Sequence, residues 1–449
     1  MTSMKKSLHL TWMAALTLVV AGCGGGDNEG NAPAEGEANG ATESEEQVEL
    51  NLYTWINEEN GNWQATIEAY EEANPNVTIN MNTLVENMDA RDYYQQLDLL
   101  ASSGEELDLI MLSSSQDLSR RASLGMFAPL NEYFEEEGID IDEEYNMGAT
   151  PSDDEGNYFG LPMKYNTYLV MMNKDHLDEA GLEIPTDWTW DDYREYASAL
   201  TEDGRYGSYF HTWDTIWNVT YLLSKESNNL LIQEDGSSNM EDPAIEASLQ
   251  LRYDLEQVDQ SSEPFANVIS QDLNYRQQFF QGSASMVPIP SFMVTEWGGH
   301  SAEFPIAWAP WPKENADDPQ YRYASSDSIA IGNQSENKEA AYEFIRWMST
   351  EGMLEQNKSI PAWRQTDLEE VVTNLASTTD NPEAIHIESL LHVLETGEES
   401  EQFLPPSYMG EVYSAYGTEV QRYLLGDQDI ETTLENATQE VQRTIDANN

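Results

Sequence analysis

Between residues 48 and 114 the chain switches repeatedly between two hydrophobic periods. VELNLYTW (48–55) places Val48, Leu50 and Leu52 two residues apart, the period of a strand. WQATIEAYEEANP (63–75) sets Trp63, Ile67, Tyr70 and Ala73 at helical spacing and stops at Asn74-Pro75, a helix-ending dipeptide. VTINMNT (77–83) alternates again, a polar helical stretch surrounds Tyr93–Ala101, and DLIMLSS (108–114) is a continuous apolar run, as in a strand buried on both faces. Strands alternating with helices in this way require a parallel sheet with helices on its faces. Ligands of such sheets sit beyond the carboxyl ends of the strands. That puts Trp55–Trp63 and Ser113–Asp117 in loops where a ligand is expected.

Farther along, DDEGNYFGLPMKYNTYLVMMNK (153–174) reads as a polar turn and two short strands around Gly160-Leu161-Pro162. IPTDWTWDDYREYASAL (184–200) opens a helix, with Thr189 or Asp187 as N-cap. Strands are expected at Ala284–Pro288, FPIAWAPWP (304–312) and DSIAIG (327–332), and an amphipathic helix at 338–350 with Ala341, Phe344, Ile345 and Met348 on one face. The tail from about 383 reads as helical throughout, broken at Pro405-Pro406 and Gly426. There is no internal repeat.

Charge narrows the function. The chain carries 83 Asp and Glu against 20 Lys and Arg, a net of −63. A field of that sign repels nucleic acid and anionic lipid, so phosphate-backbone binding is excluded as a working reading. The acids run along the whole chain instead of clustering, which favours adaptation to a salty or alkaline habitat over a calcium module. IDIDEEY (139–145) also lacks the spacing of a calcium loop. The six His are scattered without ligand spacing, so no metal and no cofactor is expected. With 39% hydrophobic residues, 12 Trp and 23 Tyr, the chain has ample material for cores.

The N-terminus has the layout of an export signal: Lys5 and Lys6, then a mostly apolar stretch from Leu8 to Ala21, shorter than the roughly 20 residues of a membrane-spanning helix. Val20-Ala21-Gly22-Cys23 resembles the lipobox of bacterial lipoproteins. The resemblance implies a signal peptide over 1–22 and a lipid on Cys23, the single cysteine of the chain. Residues 23–47, poor in large apolar groups, read as a flexible acidic tether to the outer face of the cell membrane.

From residue 48 to the end the order of segments resembles the extracellular sugar-binding proteins of ABC importers, the group that includes the maltose-binding protein. The motifs are WINEENGNW (55–63), DLIMLSSSQDLSRRASLGMFAPL (108–130), YFGLPMKYNTYLVMMNKDHLDEAGLEIPTDWTWDDY (158–193), FFQGSASMVPIPSF (279–292) and GDQDIETTLENATQEV (426–441). Each is weak alone; their order makes them specific. The resemblance implies a two-lobed α/β fold of the type II periplasmic-binding-protein kind, with a hinge and an interlobe cleft. Matching segments puts lobe one at 48–163 plus 326–358 and lobe two at 164–325 plus 359–449. It also implies a monomer that captures a sugar and docks on an ABC permease.

A sugar offers apolar C–H faces and a hydroxyl rim that needs partners once buried, so its sites pair aromatic platforms with short polar groups. Carried over by position, the first-loop ligands fall on Asn57, Glu59 and Asn60, and the family's crossover carboxylate on Asn166, an amide here. After the third strand, where the maltose-binding protein has an aromatic residue, stands Leu112; Ser113–Gln116 follow, with Ser115 as the ligand candidate. Phe292, Trp213 and Tyr413 are the expected stacking residues; Trp308, Trp363 and (near another predicted strand end) Trp311 are further candidates. Arg364 is either a ligand for an acidic group or half of an ion pair. Trp63, Trp188 and Trp190 are expected in cores. Of Trp213 and Trp217, four residues apart, one should be buried and the other face the cleft.

Two rival functions stand beside this one. A glycoside-active enzyme would use paired carboxylates, which so acidic a chain supplies anywhere, but no nucleophile elbow, Walker loop or zinc-helix motif occurs. A carbohydrate sensor or surface-capture lipoprotein would share the fold without feeding an importer. The charge itself yields a first prediction. At 1 M salt the Debye length falls to about 3 Å from about 10 Å at 0.1 M, so residues 48–449 should melt at higher temperature as NaCl is raised over that range. A melting temperature indifferent to salt would exclude adaptation to salt.

Overall fold

The computed structural model describes residues 47–146, 150–211, 215–227 and 230–448; the signal segment, Cys23, nearly all of the tether and Trp213 lie outside them. Residues 46–449 make up one contact unit, within which the chain builds two five-stranded sheets. β1 (Val48–Thr54) and β2 (Val77–Thr83) run parallel in continuous register, Val48 opposite Val77 and Thr54 opposite Thr83. The helix Trp63–Ala73 joins them, and β3 (Leu109–Leu112) lies parallel on the other side of β1. Leu50, Leu52 and all four residues of β3 are fully buried, as the apolar run predicts for a strand covered on both faces. The intervening helix, Ala90–Ser103, starts where the Asp89 carboxylate accepts the Arg91 and Asp92 N–H groups.

The chain then changes sheets. β4 (Leu161–Pro162) is the far edge of sheet one, and four residues after its end β5 (Asn166–Asn173) is the centre of sheet two, buried along its whole length. In sheet two β6 (Tyr206–Ser208) is parallel to β7 (Ala284–Pro290), and β7 and β8 (Ile306–Pro310) flank β5 antiparallel. After β9 (Tyr321–Arg322), β10 (Ala324–Ser325) still pairs with β5, whereas β11 (Ser328–Ile331) pairs with β3 and β4. Helices Lys338–Met348 and Glu351–Gln356 follow. The chain then passes the crossover a third time, with Tyr165 N–H donating to Ile360 O (2.8 Å) and Ala362 N–H to Met163 O (2.8 Å).

Sheet two rests on aromatic packing. Trp311 stands edge-on to Trp190 (5.3 Å between centroids) and to Tyr168 (5.8 Å), and the Trp188 indole N–H donates to Pro310 O at 2.7 Å. Trp63, Trp188 and Trp190 are core residues, as expected. Thr189, not Asp187, caps its helix, in a reciprocal box with Asp192; Asp187 pairs with Lys313 at 2.7 Å. The tail departs from continuous helix. The helix Ile387–Glu395 ends before Gly397, which has φ 86°, and β12 (Glu398–Glu399) pairs with β9, so backbone groups of 398–400 bond to Gln320 and Arg322. Helices Met409–Leu424 and Ile430–Asn448 then complete the chain.

At the crossover Met163 N–H donates to Asp327 O (2.8 Å), joining the two traversing strands. The Lys164 ammonium between them lies 3.0 Å from Asp327 Oδ2 and 3.3 Å from Glu296 Oε1, with only 7% of its side chain exposed. Burial alone would strip its proton; the two carboxylates outweigh that and hold its pKa above the ordinary lysine value. Its stabilising effect is therefore complete below pH 10.5 and lost as pH rises through the folded value. Lys164→Met leaves two carboxylates unpaired and should cost about 3–5 kcal/mol, read from denaturant melts at pH 7. The same variant should lose less stability than wild type between pH 10 and 11.

Candidate ligand-binding cleft

Strand direction decides where the site is. The first residue of β11, next to the crossover, lies opposite Leu112, the last of β3, so β1, β2 and β3 all end at the crossover. In sheet two β5 starts at the crossover, and Pro290 and Pro310, the last residues of β7 and β8, lie opposite Tyr168 and Leu169 near its start. β6, parallel to β7, ends on the same side. The loops at 55–62, 113–116, 209–211 and 291–297 therefore gather around the crossover from both sheets.

On the sheet-one side, Asn57 Oδ1 accepts from the Asn60 backbone N–H (3.1 Å) and from its Nδ2 (2.8 Å). These bonds fold 58–61 into a single helical turn and leave both residues half-buried, with Glu59 exposed. Ser115 is half-buried at the first turn of the helix Ser115–Ser123, whose cap is the Ser114 hydroxyl. Ser113 is held by Tyr94, whose hydroxyl accepts its N–H at 2.7 Å. The Trp55 ring is buried against Tyr93, centroids 5.5 Å apart.

On the sheet-two side, Asn166 opens β5 and is 8% exposed. Its backbone pairs with Ser325, and its side-chain amide makes no hydrogen bond among the described residues. Phe292 is half-buried in the turn Ser291–Val294 that follows β7, its ring 5.8 Å from the Arg276 guanidinium. Tyr413 is half-buried one turn into the helix Met409–Leu424. At the start of that helix Gly410 faces Gln116 of the sheet-one helix: a methyl group there would lie 2.6 Å from Gln116 Nε2. The two sides thus meet at these helix ends.

Other candidates go elsewhere. Trp308 is fully enclosed in the middle of β8, opposite Met171 and behind the helix Ile387–Glu395. It is a core residue, correcting the expectation of a platform, because it points inward along a strand that is covered on both faces. Trp311 is likewise buried to 1%, and so is Trp217 to 3%. Trp363 pairs with Tyr145 and lines a separate hollow with Glu144, Arg346, Trp347 and Gln365. Arg364 is the structural ion pair of the two readings: Nη2 lies 2.9 Å from Glu399 and Nε donates to Tyr145 O at 2.9 Å. Sequence reasoning missed Lys164, His211 and Arg276, and had Gln116 only as part of the loop after the third strand. Lys164 alone left a trace, a lysine inside an apolar run in a chain with few cations.

Three comparisons bear on this arrangement. The family described as bacterial extracellular solute-binding protein matches residues 54–354. The arabinooligosaccharide-binding protein of Halalkalibacterium halodurans is 23% identical over 225 residues, 49% of this chain and 49% of that protein, so the match spans about half the relative's length. Among solved structures, a sugar transporter of Rhizobium etli in an open conformation superposes with TM-score 0.72 at 20% identity, covering 88% of this chain and 99% of that one. An ABC substrate-binding protein of Listeria monocytogenes in complex with cycloalternan gives 0.69 at 19%, covering 89% and 99%. These structures share the two-lobed type II fold.

The site also contains a buried histidine. His211 follows β6 with its ring 4.4 Å from that of Tyr275. Burial first, and then the charge of Arg276, push its imidazole down to about 3. Below pH 6.5 the unfolded chain gains a proton that the folded chain refuses, so stability falls on acidification with a slope of up to about 1.4 kcal/mol per pH unit. His211→Gln should flatten the melting curve between pH 5 and 6.5 by that amount.

Proposed function

Because the chain belongs to the bacterial extracellular solute-binding protein family, we propose that it captures a sugar, either a mono- or an oligosaccharide, and delivers it unchanged to an ABC-type membrane permease. The observation that carries the reading is the convergence of strand-end loops from two sheets on one three-segment crossover. Such a crossover is the part that bends when two lobes close, and ligand drives closure only by binding the closed arrangement better than the open one. The lobes in this reading are 48–163 plus 326–358 and 164–325 plus 359–449, working as a monomer. Cys23 carries the lipid that keeps the protein on the outer face of the membrane.

In the cleft the Phe292 ring faces the sugar's C–H surface, while the Asn166 amide and the Asn57–Asn60 turn bond its hydroxyls. An amide both donates and accepts, so Asn166 suits a hydroxyl in either orientation. The oligosaccharide names of the relatives support this class of ligand.

The test is tryptophan fluorescence and thermal melting of residues 48–449 at high salt against mono- and oligosaccharides, with product analysis. A saturable change and raised melting temperature for one sugar class, without a product, is the expected result. Asn166→Ala and Phe292→Ala should each weaken that binding about tenfold or more while the melting temperature of the free protein stays within a few degrees. If sugars are silent and calcium or a peptide shifts the melt, the sugar reading is wrong.

A further inference from the structure

Most described Lys and Arg side chains sit against a carboxylate, as expected in so acidic a chain. Arg276 does not. Its Nε donates to the Glu296 carbonyl at 2.8 Å, and its two terminal nitrogens bond no acceptor among the described residues. The guanidinium is half-buried, 4.7 Å over the Tyr275 ring and 5.8 Å from the centroid of Phe292. The carboxylate of Glu296, the residue whose carbonyl it bonds, is paired with Lys164.

The position gives this cation a task. Arg276 lies in the first turn of the helix Tyr275–Phe280. That turn meets His211, which follows β6, and Phe292, which follows β7, so the guanidinium stands at the cleft end of sheet two beside the proposed sugar platform. With Nε tied down and the plane resting on two rings, the remaining edge is held in a fixed orientation, the form in which arginine receives a planar or tetrahedral oxyanion through two parallel bonds. The rest of the molecule repels anions. At the high salt that screens that repulsion, a short-range contact of this kind is what survives.

Resting on the sugar-capture reading above, we propose that Arg276 selects an anionic sugar, with its carboxylate or phosphate bound at the guanidinium while the sugar ring lies on Phe292.

The experiment is calorimetric titration of residues 48–449 in 1 M NaCl with uronic acids and their oligomers, sugar phosphates, and the neutral counterpart of each. Wild type should bind a uronate or a phosphate at least about tenfold tighter than its neutral counterpart, the two arms identifying which oxyanion is taken. Arg276→Gln should abolish that preference by weakening the anion alone, and Arg276→Lys should restore part of it. Since Arg276→Gln removes one bond to a carbonyl, its melting temperature is measured alongside; Phe292→Leu, which should weaken acid and neutral sugars alike, separates lost stacking from lost charge recognition. Neutral sugars bound as tightly as anionic ones, or a preference surviving in Arg276→Gln, overturns the proposal and leaves sugar capture standing. No sugar bound at all overturns both.

Discussion

Lys164 lies where the chain passes from one sheet to the other. It is contributed by one traversing strand, bonds the carboxylate of Asp327 on another, and reaches Glu296 in a cleft loop of sheet two. A buried ammonium between two carboxylates is no general stabiliser, since replacing all three groups together by apolar ones of the same shape can serve as well, although removing the lysine alone cannot. Its distinctive property is direction: each partner must stay where it is, because moving one exposes the others to an uncompensated low-dielectric charge. The ion pairs therefore tie the crossover segments at 164 and 327 to the cleft loop at 296.

Glu296 carries the connection onward. Its carboxylate holds Lys164 while its carbonyl accepts from Arg276, and Arg276 in turn stands over Phe292. The crossover and the cleft face of sheet two are thus one bonded assembly built from 164, 296, 327, 276 and 292. This divides the cations of the chain by role. Those on helix surfaces, such as Lys174 with Asp178 four residues on, offset a fraction of the local negative field and contribute little each. The few that are buried fix geometry, as Arg252 does between Glu256 and the Trp217 carbonyl.

The framework was legible in the sequence because it depends on period and order, which are local. The strands at 48–54, 77–83 and 109–112 and the helix at 63–73 lie where alternation and helical spacing put them. Where a boundary shifted, a long-range bond was responsible: β12 formed at Glu398–Glu399 because β9, far away in sequence, offers free backbone groups. The site was legible only in part for the same reason. Asn57, Asn60, Asn166 and Phe292, candidates by resemblance, do lie at strand ends next to the crossover, a placement that depends on segment order. Trp308 was misplaced because an aromatic near a predicted strand end could belong to the strand or to the loop. The last residue of β8 is Pro310, two positions later, and that difference turns a platform into core. Arg276 and His211 left no mark, since their role comes from a helix start and a strand end meeting in space.

Closure must also be limited as well as driven. Gly410 and Gln116 meet at two helix starts on opposite sides of the cleft, where even a methyl group would crowd the Gln116 amide. Backbone at one helix start here faces the flexible end of a side chain at the other, so the amide can turn aside. A closed arrangement resting on such a contact gains little energy from protein–protein packing alone. On the proposed reading, the energy that favours closing comes from the sugar held between Phe292, Asn166 and the Asn57 turn. That is the condition under which a ligand shifts the equilibrium: it must bind one arrangement better than the other. A cleft sealed firmly by its own side chains would close empty and lose that dependence.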